Sequence, residues 1–332
     1  MIDRRTMLIA AGVSAASTLA TPGLARAGAR WERRADVPWT VQEVYGTALG
    51  DRVVIAGGMS PGAGGLGGGI NPQDRTGLYD PAADLWIEGP KLPFARHHPV
   101  LAAAGNKVYA FGGFRVSPEG GWVAIPDALV LEGEAWRPVA PMPKLQCETV
   151  AVTLGDRIHI ASGRAPKGAS NREWTDQGDI DLHQVFDPAT NTWTTAAPCP
   201  QARNSATGAV IDGLFYLAGG RRVGEGNSDR LDRYDPETDR WETLRSMPRA
   251  SGGLAGAALG GRLYVFGGEL PGVLPETWSY DPRSDKWRPE PAMRTPRHGL
   301  AAAEIGGRIY AVGGGAKASG GQVTSVVEAL VP

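Results

Sequence analysis

Arg96, Arg203 and Arg297 each follow a tryptophan by ten residues, and Glu43, His98 and Glu148 each follow one by twelve. Arg164, Arg221 and Glu269 come directly after a Ser-Gly or Gly-Gly pair. A guanidinium grips a carboxylate or phosphate through paired, charge-assisted hydrogen bonds. Glu and His can accept and return a proton. These residues could therefore hold a small anion and move a proton on it. Arg96, Arg203, Arg297, Arg221 and Arg164 would bind, and Glu269, Glu148, Glu43 and His98 would serve as acids and bases. The competing reading is a structural network in which the same charges pair with one another and with loop backbone.

The positions are defined by a strict interval. Trp31, Trp86, Trp136, Trp193, Trp241 and Trp287 each stand 26 residues ahead of Gly57, Gly112, Ser162, Gly219, Gly267 and Gly313, whereas successive tryptophans are 55, 50, 57, 48 and 46 residues apart. The length variation thus falls between each glycine pair and the next Trp. Every repeat reads as a small apolar strand, a tight polar turn, an alternating strand ending at the glycine pair, a variable loop and a third strand. That third strand commonly closes on Asp-Pro, as in Tyr79-Asp80-Pro81, and a fourth begins at the Trp. Turn chemistry explains the Gly-Asp and Asp-Pro steps. A period near 50 with four strands predicts an all-β, six-bladed propeller. Trp31 opens a fourth strand with no three before it, and Ala329-Leu330-Val331-Pro332 ends a third strand with no fourth after it. Residues 29 to 36 are expected to pair beside 323 to 330 and close the ring in blade six.

The pattern resembles the Kelch repeat family over nearly the whole chain after residue 30. Within that group the chain is similar to exported sialic acid mutarotases (N-acetylneuraminate epimerases). That resemblance implies a sugar acid held by arginines, and acid-base residues that help the ring open and close. It also implies a functional Glu directly after a Gly-Gly, which Gly267-Gly268-Glu269-Leu270-Pro271-Gly272 matches, although in a different blade. The ligand expected is a small anionic carbohydrate. A protein partner gripped by the loop face is the alternative, with Trp39, Trp122, Trp174 and Trp278 as candidate anchors because they lie outside the repeat positions. A galactose oxidase-like copper enzyme needs a tyrosine pair and two His ligands. Seven of eight tyrosines are repeat residues and only Tyr45 is not, so no cofactor and no metal are expected.

The long connections 59–77, 114–127 and 164–183 all follow a glycine pair and must share one face, where binding residues concentrate on a rigid scaffold. With a strand period of two, positions ten and twelve should point the same way. Arg96, Arg203 and Arg297, in blades two, four and six, should then converge on the central channel from three sides. His159 replaces a repeat tyrosine and reads as a packing residue. The acidic run Glu173 to His183 reads as solvated loop charge, with Asp179 and His183 as its metal-like spacing. Gly62 to Gly69 reads as a flexible loop.

Asp3-Arg4-Arg5-Thr6-Met7-Leu8, the apolar run Met7 to Ala20 and Ala25-Arg26-Ala27 together read as a twin-arginine export signal cut after Ala27 or Ala29. Residues 28–332 would be one exported domain, periplasmic or secreted. The run is too short to span a bilayer. Three Arg and one Asp leave with residues 1–27, taking 34 basic and 35 acidic side chains to 31 and 34, a net of −3. That balance does not suit nucleic acid. Cys147 and Cys199 fall at opposite edges of one blade, too far apart to bridge.

Overall fold

The computed structural model describes residues 28–66, 69–117 and 121–332. Six four-stranded antiparallel sheets form the blades. Their inner strands are Tyr45–Leu49, Val100–Ala104, Val150–Leu154, Thr207–Ile211, Ala255–Leu259 and Ala301–Ile305. They surround a channel of about 540 Å³ lined largely by Ala, Val, Gly and Thr. Small side chains are needed there because six strands converge on one axis. The second strand of each blade is buried almost throughout, as in Leu263 to Phe266.

Closure follows the expected pairing. Arg30–Arg34 lies antiparallel to Val327–Val331, with Trp31 opposite Leu330, so the N-terminal segment is the outer strand of blade six. The repeat tryptophans then make one continuous girdle. The indole N–H of Trp86 donates to Ala35 O, Trp136 to Pro90 O, Trp193 to Ala140 O, Trp241 to Ala197 O and Trp287 to Arg245 O, at 2.8–3.1 Å. Trp31 completes the circuit on Pro291 O at 2.9 Å. In each case the acceptor lies four residues after the Trp of the preceding blade. Several of these receiving residues are also held through their N–H: Asp84, Asn191 and Asp239 accept from Ala35, Ala140 and Ala197 at 2.8 Å. The spacing of the repeat is therefore the spacing of an inter-blade bond.

The glycine pairs are required by both shape and dihedral. Gly267 has φ +68°, and a Cβ there would stand 2.5 Å from Arg297 O of the next blade. Ser162 takes the same left-handed conformation, φ 62°, in blade three. Beyond the pairs, the variable connections of five blades fold into small hairpins, for example Phe114–Val116 with Trp122–Ala124 and Arg164–Pro166 with Gln177–Asp179. Together they wall one mouth of the channel. Cys147 and Cys199 are buried free thiols. Residues 1–27, with the export signal, lie outside the described residues.

Candidate functional site at the channel mouth

The backbone at the mouth departs from strand geometry at one repeated place. The residues twelve after each Trp are all left-handed: Glu43, His98, Glu148, Ser205, Gly253 and Gly299 have φ between 45° and 68°. They pass hydrogen bonds around the axis, Ser205 N to Glu148 O at 3.0 Å, Gly253 N to Ser205 O at 2.9 Å and Gly299 N to Gly253 O at 2.9 Å. The residue just before each one forms an isolated bridge to the residue after the glycine pair, as between Asn204 and Arg221, Cys147 and Arg164, or Gly252 and Glu269. These bridges bring the two sets of charged positions to one rim.

A left-handed residue ends the alternation of a strand, so positions ten and twelve do not share a direction. This corrects the expectation for Arg96, Arg203 and Arg297, which are fully buried inside their blades. Each donates to the carbonyl of the first glycine of its own pair: Arg96 to Gly112 at 3.3 Å, Arg203 to Gly219 at 2.9 Å and Arg297 to Gly313 at 2.6 Å. Gln146 and Ser251 make the same bond to Ser162 and Gly267. Position ten is thus a clamp on a carbonyl that no strand partner satisfies. Asp232 lies 2.9 Å from Arg203 and Glu328 lies 3.2 Å from Arg297. Among the described residues Arg96 has no carboxylate within 4 Å, and it packs over Phe94, 4.2 Å from the ring centre. Burial pulls the Arg96 and Arg297 guanidinium pKa values down to about 10, against the pull of Asp127 and Glu328 respectively. None of the three offers its charge to the channel.

The other six residues do meet. Glu43 takes an Oε2 contact of 2.9 Å from His98 Nε2. Glu148 accepts from Ser205 Oγ at 2.7 Å and lies 3.5 Å from Arg164 Nη1. Glu269 accepts from Arg221 Nη1 at 2.8 Å and from the Ser319 backbone N–H at 2.7 Å. His298 links the halves, its Nδ1 standing 3.5 Å from Glu43 Oε1 and 3.6 Å from Glu269 Oε1. Its Nε2 faces Lys317 O at 3.1 Å.

Exposure separates the roles. Glu148, Glu269 and Arg164 have side chains at most 5% exposed, whereas Glu43 is 16% and Arg221 24% exposed. Both carboxylate oxygens of Glu148 and of Glu269 are engaged. Glu43 Oε1 has only the longer 3.5 Å approach of His298 Nδ1 and no hydrogen bond among the described residues. Burial by itself would raise the Glu43 pKa, but His98, His298 and Arg221 outweigh it and hold the carboxyl far below the usual range. Burial would lower His98, yet the Glu43 charge and hydrogen bond carry it above the ordinary imidazole value. His97, whose Nδ1 is 2.6 Å from His98 Nδ1, is pushed down by burial and by His98. The result is an ionised carboxylate backed by an edge-to-face pair of histidines, ring centres 4.9 Å apart. For Arg221, burial is outweighed by Glu269, Glu148 and Glu43, which raise its pKa further.

Two glycines keep this space open. A Cβ at Gly299 would fall 2.7 Å from the Glu43 carboxylate, and one at Gly253 would fall 3.2 Å from Arg221 Nη2. Blades five and six thus contribute no side chain at position twelve, and Glu43 and Arg221 extend over the gap. Below them a cavity of about 20 Å³, lined by Glu43, Tyr45, Ser205 and Gly253 among others, has room for about one water molecule.

Residues 140–314 match the model of the KLHDC2/KLHL20/DRC7 Kelch-repeats domain, just over half of the chain. The chain belongs to the Kelch-repeat family. Kelch-like protein 23 of Homo sapiens is 26% identical over 232 residues, 59% of this chain and 40% of that protein. Kelch-like protein terF of Aspergillus terreus is 26% identical over 230 residues, 67% of this chain and 48% of that protein. This chain therefore spans less than half the length of these curated relatives. A solved structure described as "Structure of YjhT" superposes with a TM-score of 0.72 over 88% of this chain and 95% of that one, at 16% identity. That likeness is one of fold.

Three features of this Kelch propeller escaped the sequence reading. His298 sits at position eleven, which alternation assigns to the other side. Tyr45, two residues after the left-handed Glu43, lines both the mouth cavity and the channel, and burial with Glu148 and Glu43 raises its phenol pKa. Its equivalents are Val100, Val150, Thr207, Ala255 and Ala301, so a lone Tyr outside the repeat positions was the available signal. The acidic run 173–183 is solvated at Glu173 and Asp181, as expected, but two of its carboxylates also brace loops: Asp176 collects Ser170 Oγ and the N–H groups of Arg172 and Glu173, and Asp179 accepts from Asn204 and Val223. His183 is buried 2.9 Å from His159, which makes His159 one of a packed pair. Among the described residues no group of three or more His, Cys, Asp or Glu is placed to hold a metal ion.

Proposed function

We propose that this Kelch propeller binds a small anionic sugar, a sugar acid, at its loop-face mouth. Arg221 receives the acid group and Glu43 Oε1 accepts from a hydroxyl. The observation that carries the reading is that these two are the charged groups of the cluster that reach solvent, over a gap kept open by Gly253 and Gly299. Glu269, Glu148, Arg164 and His98 hold them in place. The site also has the parts for mutarotation. Glu43 takes the anomeric hydroxyl proton as the ring C–O bond breaks, and the ring oxygen gains a proton from a neighbouring donor, with the reverse on closure. The ionised state of Glu43 suits hydrogen-bond acceptance better than strong base catalysis.

Isothermal titration with N-acetylneuraminate, glucuronate and glucose tests it. The acids should bind and glucose should not, and Arg221→Ala should weaken the acids by tenfold or more, about 1.4 kcal/mol. Unchanged affinity in that variant removes the anion site. Anomer exchange followed by proton NMR then separates a binder from a mutarotase.

A second reading, a non-catalytic protein-interaction module, is favoured by Trp174, Val223 and Leu270, exposed on loops of three consecutive blades. It takes over if no sugar acid binds. The same proposal assigns residues 1–27 to twin-arginine export and 28–332 to a periplasmic or secreted domain. Replacing Arg4 and Arg5 by Lys should stop export, and continued export would exclude that route.

A further inference from the structure

Trp174 is not a repeat residue, yet it is held from several sides. It opens the short 3-10 turn Trp174–Asp176, which Asp176 braces by accepting from Ser170 Oγ at 2.7 Å and Arg172 N at 2.8 Å. Asn171 ties this loop to the neighbouring hairpin by accepting from Ala124 N and donating to Ala124 O, each at 3.0 Å. Trp122 meets the indole edge-on at 5.0 Å. The guanidinium of Arg164 lies 3.5 Å from the ring centre. Despite this support the side chain remains 41% exposed, whereas Trp39, Trp122 and Trp278 are all partly covered. A rigid, exposed indole is a flat apolar surface of fixed orientation.

Arg164 also says where the surface belongs. The same guanidinium that packs on Trp174 reaches Glu148 of the mouth cluster at 3.5 Å, so one side chain separates the indole from the charged site. A pyranose ring presents an apolar C–H face with polar edges, which matches an indole wall beside ionic groups. We propose that Trp174 is the platform of a second subsite. The ligand is then a glycoside or oligosaccharide whose acid unit occupies the mouth while the ring of the next unit lies on the indole. This rests on the sugar-acid binding reading of the mouth and not on mutarotation, since a glycosidically linked acid unit has no anomeric hydroxyl for Glu43 to deprotonate, and it adds that the ligand is longer than a monosaccharide.

The test compares N-acetylneuraminate, 3′-sialyllactose and lactose by calorimetry on the wild-type chain, Trp174→Ala, Trp174→Phe and Arg221→Ala, with thermal unfolding as the control for folding. The wild type should bind sialyllactose at least tenfold more tightly than N-acetylneuraminate. Trp174→Ala should erase that difference while leaving N-acetylneuraminate within about twofold, and Trp174→Phe should keep most of it. Arg221→Ala should weaken both acids together. Equal wild-type affinity for the two acids, or an equal loss of both in Trp174→Ala, overturns the platform and leaves the mouth site standing. Lactose binding as tightly as sialyllactose, with loss only in Trp174→Ala, keeps the platform and overturns the acid site. Absence of binding by all three sugars overturns both and leaves the exposed loops to a protein partner.

Discussion

The indole N–H of Trp31 donates to the carbonyl of Pro291 at 2.9 Å, and this bond joins the first described strand to the blade before the last. It is the sixth member of a girdle whose other five members are made in chain order. Trp31 is also buried, edge-on to Phe266 at 5.1 Å. Truncation to Ala should cost roughly 3 to 5 kcal/mol from lost packing, read as a lower urea midpoint. Removal of residues 1–36 should leave Val327–Val331 as an open edge and promote aggregation, seen by light scattering, whereas removal of 1–27 should not. A Trp31→Ala chain as stable as wild type would show that the girdle does not close the ring.

Arg297 should behave as a structural residue. Its pair with Glu328 is fully buried, so Arg297→Ala strands a carboxylate and should cost about 3 to 5 kcal/mol. Arg297→Met with Glu328→Gln should recover much of the loss, because no charge is left unpaired. Neither chain, where folded, should differ from wild type in sugar-acid affinity by more than about twofold. A tenfold loss in the paired variant would return Arg297 to the binding set.

Gly299 and Gly133 provide a matched comparison. Both are left-handed, at φ +57° and +59°, but a Cβ at Gly133 meets nothing within 4 Å while one at Gly299 strikes the Glu43 carboxylate. Alanine at either should cost around 1 kcal/mol for the backbone alone. Only Gly299→Ala should displace Glu43 and abolish binding at the mouth. Equal binding by the two variants would mean that the Glu43 position is not needed.

The His159–His183 pair sets an acid limit. Burial lowers both imidazoles to about 4, and Arg157 pushes His159 further down while His159 does the same to His183. Unfolded histidines titrate near 6.5, so between about pH 6.5 and 4 the unfolded chain holds more protons. Stability is therefore complete above pH 6.5 and drains as pH falls toward 4, by up to roughly 1.4 kcal/mol per pH unit for each histidine. His159→Tyr, the residue found at this position in Tyr109, Tyr216, Tyr264 and Tyr310, should flatten that slope. Denaturation curves at pH 7 and pH 4.5 would show it, and an unchanged slope would assign the acid sensitivity elsewhere.

What was legible in the sequence is whatever one repeat specifies about itself and its neighbour. The interval from Trp to glycine pair, the turn residues and the two incomplete ends determined six blades, their strand order and the closure by Trp31, because each of these depends on local geometry copied six times. The same copying brought Glu43, His98, Glu148, Arg164, Arg221 and Glu269 to one rim. Direction was decided only by the tertiary structure. A left-handed residue at position twelve breaks the two-residue alternation, which turns Arg96, Arg203 and Arg297 inward onto the glycine carbonyls. It also lets His298 reach Glu43 across the seam between blades six and one, 255 positions away in sequence. Whether a φ is positive at Glu43 or His98 depends on hydrogen bonds passed from blade to blade around the axis, and those partners exist only once the ring has closed.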